Sequence, residues 1–266
     1  MTRRIGILLV LTAVAGFGWT ARSRAATATD DLCGATIVDD LHLDHDLTCP
    51  GAGLIIGADD IKIHLEGHTI AGPGTGVGIR VAGRSGVTVQ GGFIRNFETG
   101  IMVANSSDVT VKDNDVTQTR EGIFLNGTTD SVVKNNRSFQ NQIRGVMIRP
   151  SNTRISTGNL VVDNILTDNP VGILIFGQPG NGIRDNVISG STTAGILLTG
   201  AGASGNVFRE NAISNSAVGI QFGPAWTGNL FTETRLTFNT CGLQGTTTGN
   251  EFRETVFANN TADTCQ

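Results

Sequence analysis

The sequence predicts an all-β solenoid of about nine coils, in which short strands stack into three parallel sheets around one core. The first observation is a phrase of Gly, an aliphatic residue, any residue and usually an apolar residue, which recurs nine times at intervals of 22 to 27 residues. The second is that each period holds two further strand-like phrases of three to five residues, bounded by Gly or Asn. Such a unit cannot bury its apolar face alone, so the units must stack on one another.

Composition excludes several other classes of protein. With 39% hydrophobic and 16% charged residues, the chain is too apolar to be disordered. Its 36 Gly follow no triplet period and only 6 Pro are present, which excludes a collagen-like chain. The formal charge of −4 argues against nucleic acid as a partner. Only Lys62, Lys112 and Lys134 are lysines, a bias to which we assign no function.

Residues 1–28 are predicted to form a signal peptide. Arg3 and Arg4 precede an uncharged apolar run at residues 5–19, and Ala26-Thr27-Ala28 offers a cleavage site. The run is short for a membrane span, so a retained anchor is the less favoured alternative. Cleavage removes four arginines and no acid, which changes the formal charge from −4 to −8. We expect a secreted or periplasmic product without stable membrane insertion, and leave open whether it uses the general or the twin-arginine route.

The mature chain is predicted to contain an N-terminal cap over residues 29–52 and one solenoid domain over residues 53–266. Gly and Asn suit the corners between strands because they tolerate positive φ. The nine phrases that define the coils begin at Gly53, Gly78, Gly100, Gly122, Gly145, Gly172, Gly195, Gly219 and Gly242.

These phrases make the chain similar to the right-handed parallel β-helix proteins of the pectin-lyase-like superfamily. The Gly-Asn phrases, such as Gly158-Asn159, and the opening segment 57–70 add to the resemblance, which covers about residue 33 to the C-terminus. It implies a single-stranded right-handed β-helix with PbH1-type repeats. That superfamily includes polysaccharide lyases, hydrolases, epimerases, phage tailspikes and NosD-like proteins that mature a copper enzyme. The fold therefore does not choose a function.

Four cysteines are predicted to form two disulfides. Cys241 directly precedes Gly242, and Cys265 lies 24 residues later, where the pre-glycine residue of the next coil is expected. Residues stacked in adjacent coils lie about 4.8 Å apart, which is within the Cα range of a disulfide. Cys33 and Cys49 flank the N-terminal segment and are expected to pair as the matching staple. No CxxC spacing exists, so we predict no metal site from these thiols.

Two rows of equivalent residues run along the C-terminal coils. One is predicted to form an internal hydrogen-bonded ladder and consists of Asn164, Asn186 and Asn211. The other is acidic and consists of Asp163, Asp185, Glu210, Glu233 and Glu254. We predict no cofactor for the acidic row, with calcium as an alternative because this ion prefers oxygen ligands.

All histidines lie near the N-terminus, and two of them offer a potential metal site. His42 and His45 alternate with Asp44 and Asp46, which are residue types that ligate copper or zinc. His42 and His45 lie three residues apart on a predicted strand or turn, where their side chains diverge. We predict solvated polar positions and no metal, with a copper or zinc site as the alternative.

One window of the chain is strongly basic. Residues 131–162 contain no acid, and their basic residues are Lys134, Arg137, Arg144, Arg149 and Arg154. The longest period also falls here, and its extra residues lie in the turn 149–154. Insertions in a solenoid map to loops, often on the binding face, and the guanidinium fork suits carboxylates. We predict that Arg149 and Arg154 bind an acidic sugar, with Lys134, Arg137 and Arg144 nearby; a solvated basic loop is the alternative.

The outward row of the first sheet argues against catalysis. Its middle members carry no charge and are Met102, Phe124, Met147, Leu174 and Leu197. Glu121 and Arg144, at equivalent positions in adjacent coils, are predicted to form an ion pair beside this row.

Three functions follow from these features, in order of preference. The first is an exported β-helix protein that binds a polysaccharide or cell-surface glycan, with an acidic glycan as one form of that partner. The second is a lyase or epimerase that acts on uronate-containing polymers, as the resemblance implies for uronate-cleaving relatives. The third is a NosD-like periplasmic protein with a metal-linked or structural role.

Overall fold

The structure is a computed structural model that describes residues 32–266, so the predicted signal peptide lies outside the described residues. It contains 31 strands in three parallel sheets. Sheet 1 consists of β1 (Thr36–Ile37), β4 (Leu54–Ile56), β7 (Val77–Ala82), β10 (Thr99–Ala104), β13 (Glu121–Asn126), β16 (Arg144–Arg149), β19 (Val171–Phe176), β22 (Ala194–Thr199), β25 (Val218–Phe222), β28 (Cys241–Gln244) and β31 (Ala262–Cys265).

The other two sheets are built from shorter strands. Sheet 2 consists of β2 (Leu41–His42), β5 (Lys62–His64), β8 (Thr88–Gln90), β11 (Thr110–Lys112), β14 (Val132–Lys134), β17 (Leu160–Val162), β20 (Gly182–Arg184), β23 (Val207–Arg209), β26 (Leu230–Thr232) and β29 (Glu251–Arg253). Sheet 3 consists of β3 (Leu47–Thr48), β6 (Thr69–Ala71), β9 (Phe93–Arg95), β12 (Asp115–Thr117), β15 (Arg137–Phe139), β18 (Ile165–Thr167), β21 (Val187–Ser189), β24 (Ala212–Ser214), β27 (Arg235–Thr237) and β30 (Val256–Ala258).

The predicted fold class, a parallel β-helix with three sheets, is confirmed. Each strand pairs with the strand three places further along the chain, so every coil adds one strand to each sheet. Ten coils form in this way, with one further strand in sheet 1. The segment expected to cap the N-terminal end supplies, in its described part, the first strand of all three sheets.

The core is one continuous column of aliphatic side chains that runs through all the coils. Each three-residue strand of sheets 2 and 3 points its central side chain inward, so Val111 and Val116 are buried while their neighbours are not. Toward the C-terminus the rings of Phe208, Phe231 and Phe252 stack at 4.4 and 4.9 Å. The phrase glycine allows the coils to approach closely, because a Cβ on Gly145 would lie 2.8 Å from the carbonyl oxygen of Gly172.

The predicted asparagine ladder is confirmed and is longer than expected. It runs along the corner between sheets 2 and 3 and consists of Asn114, Asn136, Asn164, Asn186 and Asn211, all buried. Each side-chain amide donates to the next Oδ1 at 3.0–3.1 Å, and the backbone N–H donates to the same oxygen. The ladder pairs polar groups that would otherwise be costly to bury.

Both predicted disulfides are present, although the register of the second differs from the prediction. Cys33 and Cys49 join at a Cα separation of 5.3 Å, and Cys241 and Cys265 at 6.1 Å. Cys241 lies opposite Ala262, so this coil is 21 residues long and Cys265 lies opposite Gln244 instead. The prediction placed Cys265 three positions too early in its strand because it assumed a coil of average length.

The outward row of sheet 1 is confirmed in register. Met102, Phe124, Met147, Leu174 and Leu197 face one another in successive strands. Met147 and Leu174 are buried and pack with Val171 and their neighbours into a small cluster outside the main core. Among residues 32–266, no helix is long and apolar enough to cross a membrane.

Candidate functional site

The five basic residues of the window 131–162 lie on three different faces of the solenoid. Lys134 ends β14 in sheet 2 and Arg137 begins β15 in sheet 3. Arg144 and Arg149 begin and end β16 in sheet 1, and Arg154 lies in the loop that follows. The structure therefore does not bring the five together into one site.

The two arginines of sheet 1 take part in the packing of its outer face. Arg144 and Glu121 form the predicted ion pair at 2.5 Å, with only 23% and 15% of their side chains exposed. The Arg144 guanidinium also lies 3.5 Å from the Met147 sulfur. Arg149 is exposed, and its guanidinium lies over the Phe124 ring at 5.8 Å from the ring centre.

The loop after β16 folds back over the preceding coils. Arg154 donates from Nη2 to the hydroxyl of Thr129 at 3.1 Å, and the Ser151 hydroxyl donates to Asn105 Oδ1 at 2.6 Å. On sheet 3, Arg137 forms an ion pair with Asp115 at 3.0 Å. Its guanidinium also lies 4.8 Å from the centre of the Phe139 ring. These contacts give Arg137 and Arg154 structural partners within the chain.

A second basic feature runs along the outer face of sheet 2. The outward residue at the end of each strand forms one continuous row in register: His42, His64, Gln90, Lys112, Lys134, Val162, Arg184, Arg209, Thr232 and Arg253. Val162 divides the row into a lysine part and an arginine part. Each part lies in its own groove.

The N-terminal groove, which we call the lysine groove, collects every lysine of the chain. It has a volume of about 430 Å³ and is lined by Lys62, His64, Thr88, Gln90, Thr110, Lys112 and Lys134. Lys112 and Lys134 are direct neighbours in adjacent strands. Like charges at such positions repel, which makes an anion a favourable ligand between them.

The lysines of this groove have few acidic partners. Lys112 lies 3.9 Å from Asp113, and neither Lys62 nor Lys134 forms an ion pair within residues 32–266. The residue after Lys134 is Asn135, whereas the coil of Lys112 and all the later coils from Asp163 to Glu254 carry an acid at this position. The groove lining itself contains hydroxyls, an amide, an imidazole and three ammonium groups, and no carboxylate. Its cationic charge is therefore largely uncompensated.

The C-terminal groove, which we call the arginine groove, is larger, but acidic side chains compensate most of its positive charge. It has a volume of about 570 Å³ and its lining includes Arg184, Arg209, Arg253 and Glu233. Arg209 contacts Glu210 at 2.5 Å and Glu233 at 3.6 Å. Arg253 forms a further ion pair with Glu251 at 2.5 Å.

The acidic row supplies this compensation from the corner next to sheet 2. All five members, Asp163, Asp185, Glu210, Glu233 and Glu254, have left-handed backbone with φ between 48° and 56°. Burial raises the pKa of Asp185, and its hydrogen bond with the Glu210 carboxyl raises that pKa further. Hydrogen bonds from Asp185 and Arg209 lower the pKa of Glu210. Members of the acidic row therefore form ion pairs with Arg209, and two of them, Asp185 and Glu210, form a hydrogen bond with each other.

Two of the histidines, His42 and His64, lie side by side in adjacent coils. The His42 and His64 rings stack with their centres 4.4 Å apart. His42 Nδ1 lies 2.7 Å from Glu66 Oε1, and His64 Nδ1 lies 4.0 Å from the same oxygen. Gln90 Nε2 contacts His64 Nδ1 at 2.7 Å. Burial lowers the pKa of His64, and the charge of His42 lowers it further. We call His42, His64 and Glu66 the histidine cluster.

The other two histidines each contact an aspartate of the first coil. His45 Nδ1 lies 2.6 Å from Asp44, and this hydrogen bond lowers the pKa of Asp44. His68 Nδ1 lies 3.2 Å from Asp46, whose other partner is the backbone N–H of Thr69. The sequence offers His42 and His45 as metal ligands only as the alternative to solvated positions, whereas the fold stacks His42 on His64, one coil further on.

Sequence reasoning missed both the lysine groove and the histidine cluster. Lys112 and Lys134 are 22 residues apart, as are His42 and His64, and 22 residues is one period of the repeat. That spacing alone places each pair on adjacent coils. The signal was therefore present, but only in the weaker repeat phrases that form sheet 2.

A protein-family model described as "Periplasmic copper-binding protein (NosD)" matches residues 69–264. The match spans most of the chain. A comparison with curated proteins gave no match.

Several solved structures have a similar fold. A mannuronan C-5 epimerase A-module from Azotobacter vinelandii is 13% identical, with 83% of each chain covered and a TM-score of 0.53. The periplasmic alginate epimerase AlgG is 17% identical over 88% of this chain and 64% of that chain, with a TM-score of 0.58. A mutant tailspike of an E. coli bacteriophage, in complex with a pentasaccharide, is 11% identical over 86% of this chain and 51% of that chain, with a TM-score of 0.64. At these identities the similarity establishes the fold alone.

Proposed function

The chain belongs to the NosD family, and from this premise we propose that it is an exported protein that binds an acidic polysaccharide in the lysine groove. The two disulfides support a location outside the cytoplasm, where such bonds persist. The family description names the periplasm, in agreement with the predicted signal peptide. Solved structures of similar fold include a mannuronan epimerase, an alginate epimerase and a tailspike in complex with a pentasaccharide, which supports a polysaccharide as the ligand class.

The observation that carries the proposal is the collection of all three lysines in one groove, where only Lys112 has an acidic partner among residues 32–266, Asp113 at 3.9 Å. Ammonium groups form charge-assisted hydrogen bonds with carboxylates, and these are stronger than neutral ones. Strands of successive coils lie about 4.8 Å apart. An acidic polysaccharide that lies along the solenoid axis can therefore place successive carboxylates against Lys112 and Lys134. Thr88, Thr110 and Gln90 add hydrogen-bonding partners for sugar hydroxyls.

Binding rather than turnover is supported by the chemistry of the groove. General acid–base catalysis needs a base placed within hydrogen-bond reach of the proton it removes. His64 is the one lining residue whose ordinary pKa lies near neutrality, and its Nδ1 already contacts Gln90. A lyase or epimerase acting on uronate polymers is the alternative.

Binding to polyuronate oligomers, measured by calorimetry on the mature chain, tests the proposal. Replacing Lys112 and Lys134 together by Gln should weaken binding by about tenfold or more, because two charge-assisted contacts are lost. The matched control replaces Arg209 and Arg253 by Gln and should leave the affinity within about twofold, since these arginines of the other groove form ion pairs with Glu210, Glu233 and Glu251. Equal losses in both variants would contradict the assignment to the lysine groove.

Two further arms separate the alternatives. A variant with Arg149→Gln and Arg154→Gln tests the loop that the sequence predicts as the binding site. Incubation with polyuronates, followed by ultraviolet absorbance for unsaturated ends and by NMR for epimerised sugars, tests turnover. We expect no product. If the wild-type protein formed either product and the Lys112→Gln/Lys134→Gln variant did not, the proposed binding function would be replaced by an enzymatic one.

The family description names copper, and the histidine cluster, which lies N-terminal to the matched residues 69–264, contains donor atoms that suit this metal. Imidazole nitrogen and carboxylate oxygen suit copper and zinc, and the histidine cluster offers two of the first and one of the second. The residues present therefore fit such an ion. Binding of copper is the second candidate function.

A further inference from the structure

We propose that His42, His64 and Glu66 form an open, three-ligand site for a divalent transition metal ion of the copper or zinc class. One ligand atom from each of the three side chains lies within 4.8 Å of the others. Among residues 32–266, no other set of three His, Cys, Asp or Glu side chains meets this spacing. The site joins two coils, since His42 lies on β2 and His64 on β5.

The fold holds these donors together by the stacking of coils. His42 and His64 occupy the same outward position in paired strands, so their rings stack at 4.4 Å. Glu66 follows in the corner after β5, where a left-handed backbone with φ of 51° carries it next to both rings. An ion ligated by both imidazoles lies in the plane of each ring, so the exposed His42 ring turns out of the stack on binding, and the proton shared by the His42–Glu66 hydrogen bond is released to solvent.

The type and number of donors define the class of ion. Two imidazoles and one carboxylate suit copper and zinc and are poor ligands for calcium, which takes six or more oxygens. Three protein ligands leave at least one position of a tetrahedral ion open to water or to an exogenous group. The side chains of His42 and Glu66 are 64% and 50% exposed, so this position is reachable from solvent.

The site adjoins the lysine groove, because His64 also lines that groove. A bound ion adds positive charge at the N-terminal end of the groove. The metal site is nevertheless independent of the glycan proposal, since its donors are present without any glycan. Its test therefore contains no glycan, and failure of one proposal leaves the other standing.

Metal content of the untagged mature protein provides the test. After removal of metals with EDTA, the protein is dialysed with one equivalent of copper(II) or zinc, and bound metal is measured by mass spectrometry. Copper(II) electron paramagnetic resonance reports whether nitrogen atoms ligate the ion. We expect one ion per chain, nitrogen ligation and no competition from excess calcium. His42→Ala and His64→Ala should each weaken metal binding by about tenfold or more.

His45→Ala and His68→Ala are the matched controls, because they remove an imidazole from the same two coils while leaving the histidine cluster intact. Both should retain metal affinity within about twofold of the wild type. Metal binding that persists in the His42→Ala/His64→Ala double variant would overturn the site, as would an equal loss in either control. Circular dichroism of each variant ensures that a loss of metal is not a loss of fold.

Discussion

The two grooves of sheet 2 occupy the same face, lie on the same row of outward residues and carry the same sign of charge. They differ in the residue at the corner that follows each strand. Beside the lysine groove this residue is Asp113 or Asn135, whereas beside the arginine groove it is Asp185, Glu210 or Glu233. Arg209 contacts both Glu210 and Glu233, whereas among the three lysines only Lys112 has an acid within 4 Å in the described part of the chain. We therefore expect the corner residue, more than the number of cations, to decide which groove is available to an anionic ligand.

The largest effect is expected at the junction of the two grooves, where Asn164 lies beneath Val162. Its side-chain amide donates to the carbonyl oxygens of Val133 and Val162 and to Asn186 Oδ1, at 2.9–3.0 Å. Asn164→Ala should lower the free energy of unfolding by about 3–5 kcal/mol, because each buried group left without a partner costs about 1–3 kcal/mol. Urea denaturation followed by circular dichroism measures the loss.

Two companion variants keep this prediction testable. Asn152→Ala removes an exposed loop amide and should change the free energy of unfolding by no more than about 0.5 kcal/mol. Asn164→Thr introduces threonine, which the row already contains as Thr234, the position after Asn211. This variant should lower the free energy of unfolding by less than Asn164→Ala does. If the Asn164→Ala protein were as stable as the Asn152→Ala protein, the coils of the two grooves would not depend on the shared asparagine ladder for their stability, and the prediction would be wrong.

Removing acids of the arginine groove should make this groove available to an anionic ligand. Glu210→Gln with Glu233→Gln releases Arg209 from both of its ion pairs. In a background of Lys112→Gln and Lys134→Gln, this change should restore polyuronate binding by about threefold or more, on the order of one or two surface ion pairs. Calorimetry measures the recovery. Asn135→Asp in the wild-type chain is the mirror control and should weaken binding by about twofold.

The smallest effect concerns the pH dependence of stability. Burial and Glu210 raise the pKa of Asp185 above its ordinary value of 3.8, so the folded state favours the protonated carboxyl. This contribution to stability is complete below pH 3.8 and is lost as the pH rises through that region. Asp185→Asn should therefore raise Tm by about 1 °C at pH 7 and leave it unchanged at pH 3. Calorimetric scans at the two pH values check it, and an equal shift at both would contradict the assigned cause.

The sequence predicts the interior and sheet 1 well because the phrase glycine anchors the register of each coil. A side chain at Gly145 would collide with the next coil, so that position is restricted in every repeat. Counting from these glycines places the outward row of sheet 1 correctly from Met102 to Leu197. The same counting misplaces Cys265, because the last coil is 21 residues long and its phrase lacks the glycine.

The surface of sheet 2 could not be predicted as directly. Its strands are three residues long, and those that end in Lys112 and Lys134 lack the Gly-Asn phrase that precedes Leu160 and the later strands. Their register has to be counted from the phrase glycine of sheet 1, across a loop whose length varies between coils. The loop from Arg149 to Leu160 is the clearest case, since its extra residues lie between sheets 1 and 2. The basic window 131–162 is a neighbourhood along the chain, whereas a solenoid face collects residues one period apart. Local charge counting therefore finds Lys134 and misses Lys112.

The asparagine ladder makes each coil an interchangeable unit. Every rung offers the same donor on one side and the same acceptor on the other, so Asn136 could bond to Asn186 as it now bonds to Asn164. A deletion or duplication of one whole coil would rejoin the ladder without leaving an amide unpaired. During evolution, such chains can change in length by whole coils while every amide of the ladder keeps its hydrogen-bond partners. Ligand-binding faces of different extent can thus evolve from one scaffold.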